Sequence, residues 1–225
     1  METPFQQWGL DFIGEINPTS SGQHRWILIA TDYLTKSIEV VPTRQANENV
    51  IIQFLETNIL SRFGCPRKII TDNAPAFKSK KMVKFCEDYN ITLGHSTSYY
   101  PQGNGLVESS NKSLVTIIKK LLQENKKARH TKLTFALWAD RISTKRVLGM
   151  SPFELVYGTK VIFPTLGIPI MKLLQEQEVE PNHVQRRVNQ LIQVQQTRSE
   201  VYNTTQLFQE KMKMIFDRGT KVDNF

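Results

Sequence analysis

Cysteine is nearly missing from this sequence: Cys65 and Cys86 are the two residues among 225. Neither sits in a CxxC pair and no histidine stands at zinc-ligand spacing from them, which excludes a disulfide-dense scaffold and a Cys/His zinc module. Two buried, reduced thiols of an intracellular protein are expected instead. No apolar run is long enough to cross a bilayer and no secretory signal opens the chain, so a soluble protein with no membrane partner is expected. Acids are the minority charge, 21 Asp and Glu against 29 Lys and Arg, for a net charge of +8 and a pI near 9.5. An excess of that sign points to a polyanionic partner. Between Lys112 and Arg146 ten basic residues face two acids, Glu124 and Asp140, so the positive field is concentrated in one stretch.

What remains is an ordinary globular composition, 40% hydrophobic, enough for one sizeable core and an appendage. Apolar segments 8–16, 26–33 and 37–42 are short and separated by turn residues, so they read as an antiparallel meander. Apolar residues from Val50 to Phe63 recur at helical period and end at Gly64-Cys65-Pro66. Residues 68–71 read as a buried strand, 78–89 as a helix and 91–93 as a fifth strand. Long helices follow at about 105–123 and 132–147. This order predicts an α/β fold, an RNase H-like mixed five-stranded sheet flanked by helices, with a C-terminal helical extension. The expected divisions are a core over 1–160, a linker over 161–181, an amphipathic arm over 182–217 and a tail over 218–225. The apolar periodicity of the arm fits a coiled-coil-like arm or a packing element.

Three carboxylates stand out. Asp11 lies in the apolar run Trp8 to Gly14, Asp72 closes Arg67 to Thr71, and Glu108 lies in Tyr99 to Asn111. A charge inside a hydrophobic segment is costly unless something binds it. Hard divalent cations such as Mg²⁺ prefer oxygen ligands and offer that compensation. Three carboxylates within about 5 Å repel by roughly 3 kcal/mol per pair at an effective dielectric near 20, so such a cluster calls for metal. Two ions about 3.5–4 Å apart clamp the attacking and leaving oxygens of a phosphodiester. The spacing alone therefore suggests metal-dependent phosphoryl chemistry with Mg²⁺ or Mn²⁺, two ions per site, and Asp11, Asp72 and Glu108 as both catalytic residues and metal ligands.

The segments Trp8-Gly-Leu-Asp11, Ile70-Thr-Asp-Asn-Ala-Pro-Ala-Phe77, Tyr100-Pro-Gln-Gly-Asn-Gly-Leu-Val-Glu-Ser-Ser-Asn-Lys112, Leu137-Trp-Ala-Asp140 and Ser151-Pro-Phe-Glu-Leu-Val-Tyr-Gly158 carry a resemblance. The chain resembles the catalytic core of retroviral-type integrases, most closely those of gypsy-type plant retrotransposons, over about residues 5 to 160. The resemblance implies a DNA integrase, a polynucleotidyl transferase with endonuclease-like 3′-end processing followed by strand transfer. It also implies DNA as partner, a homodimer or higher multimer, no small-molecule substrate, and a nuclear site of action after cytoplasmic passage. In related enzymes the loop before Glu108 contacts DNA ends, which makes Tyr99 and Asn104 candidate DNA contacts. Asn111 and Lys112 lie three and four residues past Glu108 and so share its helix face. Lys112 can hold a phosphate, and Lys119 and Lys120 two turns on suit backbone contacts. Asn73 resembles a residue that supports the site from behind a ligand.

Other readings stand beside this one. An Asp at a strand end is commonly a turn or cap residue, and a Glu early in a helix matches the helix dipole. Asp32 and Glu39 also lie in strands and compete with Asp11 as first ligand; the surrounding motif favours Asp11. Related chains usually have Gly where Ala74 stands; if that position needs positive φ, Ala costs on the order of 1 kcal/mol. Ser37 stands where they generally have Trp. The amino-terminal zinc domain of such enzymes is missing and the sequence stops where a small β-barrel would begin, so a fragment or the product of a decayed element is expected. A catalytically inactive, retrotransposon-derived nucleic-acid-binding remnant is the alternative, and an RNase H-type nuclease is a third.

Overall fold

A computed structural model describes residues 3–15, 22–95, 129–161 and 183–220. Three strands rich in β-branched and aromatic residues, β1 (Gln7–Ile13), β2 (Trp26–Asp32) and β3 (Ile38–Thr43), form the expected antiparallel meander. Two short strands, β4 (Lys68–Thr71) and β5 (Thr92–His95), join them in parallel. The sheet order is β3-β2-β1-β4-β5, so β1 is the strand where antiparallel pairing gives way to parallel pairing.

Helix α1 (Glu48–Phe54) starts where the Asn47 side chain accepts the Val50 N–H at 3.1 Å. It continues through wider turns at Leu55–Leu60 and a last turn at Ser61–Phe63, ending at Gly64 with φ +82. With α2 (Lys80–Asp88) it covers one face of the sheet, burying Trp8, Leu10, Leu28, Ala30 and Ile69 against Ile51, Leu55, Met82 and Phe85. The other face carries Ile27, Ile29 and Ile38 beneath Leu133 and Ala136 of α3 (Arg129–Ile142).

Several boundaries depart from the sequence reading. Segment 8–16 is a strand only to Ile13, and 91–93 extends to His95. Helix α3 stops at Ile142 rather than 147, because the chain folds back: Lys145 and Met150 form a bridge, and Lys145 Nζ meets the buried Asp140 carboxylate at 2.5 Å. A short helix, α4 (Pro152–Tyr157), follows it. Its capping box is readable in the sequence, with Ser151 Oγ accepting the Glu154 N–H at 3.2 Å and Glu154 returning a carboxylate to Ser151. Cys65 is exposed and only Cys86 is buried, which corrects the expectation of two buried thiols.

The C-terminal segment is one helix, α5 (His183–Thr220). Its middle is a packing element: Val201 joins Leu34, Leu148 and Leu155 in a small core, and Arg198 donates to the carbonyls of Leu155 (3.1 Å) and Val156 (2.7 Å). The flanks are not, since Leu191, Phe208 and Met212 stay exposed. At the sheet edge, Glu39 on β3 is only 2% exposed and binds Arg62 Nη1 at 2.5 Å and Arg141 Nη2. These arginines come from opposite helical layers, so one carboxylate ties both layers to the edge strand.

Three outcomes are expected. Glu39→Gln strands two arginines and costs about 2–3 kcal/mol in urea denaturation, the low end for breaking a buried pair because Arg62 is half exposed. Gly158 has φ +71, and a Cβ there would meet Val194 Cγ2 at 2.2 Å; Gly158→Ala therefore lowers stability by on the order of 1–2 kcal/mol, read by the same method. Burial pushes the Cys86 thiol up to about 11, so a thiol reagent at pH 8 modifies only Cys65 in the native chain, and both after unfolding.

Candidate active site

Strand β1 divides its residues between the two faces of the sheet. Trp8 and Leu10 enter the core beneath α1 and α2. Asp11 pairs with Ile29, which belongs to the opposite layer beneath α3. Alternation along the strand thus aims the aspartate away from the larger core. On β4, Gly9 pairs with Ile70 and Leu10 with Thr71. The ladder ends at that pair; Asp11 is the next residue of β1, and Asp72 is the first residue past β4. Both side chains are partly buried.

Asp72 ends β4 by turning the chain: its Oδ1 accepts the Ala74 N–H at 2.9 Å. The turn-forming role of a strand-end aspartate is therefore real here, and it leaves Oδ2 outside the turn. Ala74 has φ −60 and ψ 141, so the backbone needs no glycine and the residue carries no strain. Asn73 follows with an exposed side chain. Ser37 is buried in the β2–β3 turn, where its N–H donates to Thr35 Oγ1 at 3.1 Å.

The two competing acids are committed elsewhere. Asp32 is 1% exposed and accepts hydrogen bonds from the Phe5 N–H (2.9 Å), the Thr35 N–H (2.8 Å) and the Thr35 hydroxyl (2.7 Å). Burial raises its carboxyl above the ordinary value despite these donors. The neighbouring Lys36 is lowered to about 8 by burial. Glu39 is held by its two arginines. Neither faces Asp11 and Asp72 as a ligand.

Glu108 and the candidate DNA contacts Tyr99, Asn104, Asn111, Lys112 and Lys119 lie outside the described residues, as do Lys120 and the helix expected at 105–123. Among the described residues, no three His, Cys, Asp or Glu side chains converge as a metal-holding group. Asp11, within β1, and Asp72, just past β4, have the right donor chemistry for Mg²⁺ or Mn²⁺, carboxylate oxygens, with one Asp72 oxygen outside the local turn. The sequence reading did not single out His95, since it ended the fifth strand at Leu93. The strand runs on to His95, whose Cα partner is Thr71 and whose Nδ1 lies 2.9 Å from the Thr71 hydroxyl.

With this geometry in hand, the chain was compared with known proteins. Residues 2–101 match the integrase core domain family. The Gag-Pol polyprotein of avian reticuloendotheliosis virus is 34% identical over 165 residues, 73% of this chain and 14% of the polyprotein. The Pol polyprotein of feline endogenous virus ECE1 is 31% identical over 156 residues, 69% of this chain and 15% of the polyprotein. The chain thus spans about a seventh of these relatives. The cryo-EM structure of the simian T-cell lymphotropic virus intasome with PP2A regulatory subunit B56 gamma superposes with a TM-score of 0.62. It is 21% identical and covers 72% of this chain and 58% of that one. The HTLV-2 integrase catalytic core domain with magnesium, in a trimeric form, gives a TM-score of 0.53 at 24% identity, covering 67% of this chain and 95% of that one. At these identities the structures establish the fold, which is the RNase H-like sheet of integrase catalytic cores with an added C-terminal helix. Residues 2–101 are thus similar to the integrase core domain family, and a longer stretch of the chain is similar to segments of retroviral Gag-Pol and Pol polyproteins.

Proposed function

We propose that this chain is a divalent-metal-dependent polynucleotidyl transferase that processes DNA 3′ ends and joins them to target DNA. The observation that supports the reading is the parallel pairing of β1 with β4, whose last pair, Leu10 with Thr71, immediately precedes Asp11 and Asp72 in the two segments. Glu108 completes the ligand set, brought from a segment outside the described residues. When bound, two Mg²⁺ or Mn²⁺ ions supply charge stabilisation for the attacking and leaving oxygens of the phosphodiester. Magnesium in the HTLV-2 core supports that choice of ion.

The chain's own groups do the rest. Asp11 presents its oxygens from within β1, a better-defined frame than a loop, and Asp72 from the turn that directly follows β4. The basic stretch from Lys112 to Arg146 draws the phosphate backbone to the site, a salt-sensitive and sequence-independent attraction. Tyr99, Asn104, Asn111, Lys112 and Lys119 contact the DNA end, and Asn73 supports Asp72 from the neighbouring backbone position. Water attacks the terminal phosphodiester first; the freed 3′ hydroxyl then attacks target DNA.

The setting follows from the same reading. The chain derives from a gypsy-type retrotransposon of plants and acts on nuclear DNA. It works as a homodimer or higher multimer, as the trimeric and intasome forms of its structural relatives suggest. Among the described residues no helix is long and apolar enough to cross a membrane.

The test is a strand-transfer and disintegration assay with Mn²⁺ on the full 225-residue chain. Wild type yields joined products, while Asp11→Asn, Asp72→Asn and Glu108→Gln each fall by at least about 100-fold, as expected when a charge-stabilising group is removed. Mn²⁺ raises the melting temperature of wild type, and Asp11→Asn abolishes that rise. Product formation by Asp72→Asn at the wild-type rate overturns the assignment. Salt-sensitive DNA binding with no cleavage by wild type establishes the inactive remnant instead.

A further inference from the structure

Thr71 is completely buried, one residue before Asp72, and its hydroxyl reaches both the Asp72 backbone and β5. It donates to the Asp72 carbonyl at 2.9 Å and lies 2.9 Å from His95 Nδ1. A hydroxyl carries a single hydrogen. When that hydrogen goes to the Asp72 carbonyl, Oγ1 accepts at its other contact and the Nδ1-protonated tautomer of His95 is the donor. The result is a directed chain, from the His95 ring to the Thr71 hydroxyl to the Asp72 backbone. It crosses from the last residue of β5 to the end of β4.

We propose that His95 is a positioning residue that holds the Asp72 end of the carboxylate pair through the Thr71 hydroxyl. This rests on the catalytic reading above and extends it to a residue that touches neither substrate nor metal. Thr71 pairs with Leu10, which faces the core under α1 and α2, and His95 pairs with Thr71. His95 therefore lies on the face opposite Asp11 and acts only through the backbone. That backbone matters because the Asp72 side chain is fastened to it: Oδ1 is bound to the Ala74 N–H two residues on. A rotation of the Asp72 peptide turns the carboxylate with it. Without His95, the buried Thr71 oxygen loses a donor that water replaces poorly, and the hydroxyl is freer to leave the Asp72 carbonyl.

The experiment compares wild type, His95→Asn, His95→Leu and Thr71→Val in the full chain. Asn keeps an N–H donor near the place of Nδ1, whereas Leu keeps bulk alone. His95 is exposed, so its variants keep the fold, checked by melting without metal. His95→Leu is expected to lower the maximal rate of strand transfer about tenfold, the low end for outer partners of a metal site, with the KM for DNA unchanged. His95→Asn recovers the rate to within about twofold of wild type. Hydrogen exchange at the Asn73 and Ala74 amides rises about tenfold in His95→Leu and Thr71→Val, and returns to the wild-type rate in His95→Asn. The Mn²⁺-induced rise in melting temperature follows the same order. Full activity of His95→Leu, or His95→Asn as impaired as His95→Leu, overturns the proposal. A wild-type chain with neither activity nor response to Mn²⁺ overturns the catalytic reading instead. The exchange data then judge the tie alone, and unchanged exchange in His95→Leu sinks it.

Discussion

Everything at the candidate site depends on how β1 is paired. This strand has antiparallel β2 on one side and parallel β4 on the other. Parallel strands cannot be joined by a tight turn, so the chain must leave the sheet after β3, cross through α1 and return as β4. The return is worthwhile only if both faces of β4 find cover, and the α1–α2 layer supplies one of them through Ile69 and Met82. The register is pinned by what lies on that side. Trp8 and Leu10 are fully buried, and slipping either strand by one residue would drive them toward the opposite face. The same slip would bring Asp11 into the core. Hydrophobic packing on one side of β1 therefore fixes the position of a charge on the other.

That arrangement explains how acidic groups survive in this sheet. Asp72 lies where β4 stops and the chain turns, and Asp11 lies within β1, each partly buried rather than enclosed. Asp72 spends one oxygen on the turn itself. Enclosed acids in the same sheet are handled differently, each given donors that satisfy it: hydroxyl and backbone N–H groups for Asp32, two guanidinium groups for Glu39. The contrast separates structural carboxylates from candidate ligands by physical criteria. A carboxylate saturated by internal donors has no need of a cation, and Asp72, with one oxygen in its turn, keeps its other oxygen outside that turn.

Much of this was legible in the sequence, for identifiable reasons. β2 and β4 are short runs of β-branched residues bounded by turn formers, and they emerged within a residue of their expected limits. Asp11 and Asp72 could be picked out because local motifs surround each of them, and the expected neighbouring of β1 and β4 is the pairing observed. What escaped were interactions between residues far apart in sequence. Nothing near Glu39 announces Arg62 and Arg141, 23 and 102 positions away. Nothing near Thr71 announces His95, because whether β5 ends at Leu93 or His95 is a matter of pairing, not composition. The early end of α3 is of the same kind: residues 143–147 suit a helix locally, but the buried Asp140 recruits Lys145 and the chain turns back.

The C-terminal helix shows why periodicity could not choose between an arm and a packing element. Val194, Val201, Phe208 and Ile215 recur at intervals of seven and therefore lie along nearly one stripe. The first two lie in or beside the docked region, Val201 in the small core and Val194 against Gly158, whereas Phe208 and Ile215 are exposed. Length decides the outcome. At 1.5 Å per residue, the 38 residues of α5 extend about 57 Å, whereas the six of α4 extend about 9 Å. Even with help from Leu34 and Leu148, such a platform covers only the middle turns. The stripe must then run out past its support in both directions, as Leu191 and Met212 do. One uninterrupted pattern thus serves two physical states, and what separates them is the size of the surface beneath rather than anything written in the helix.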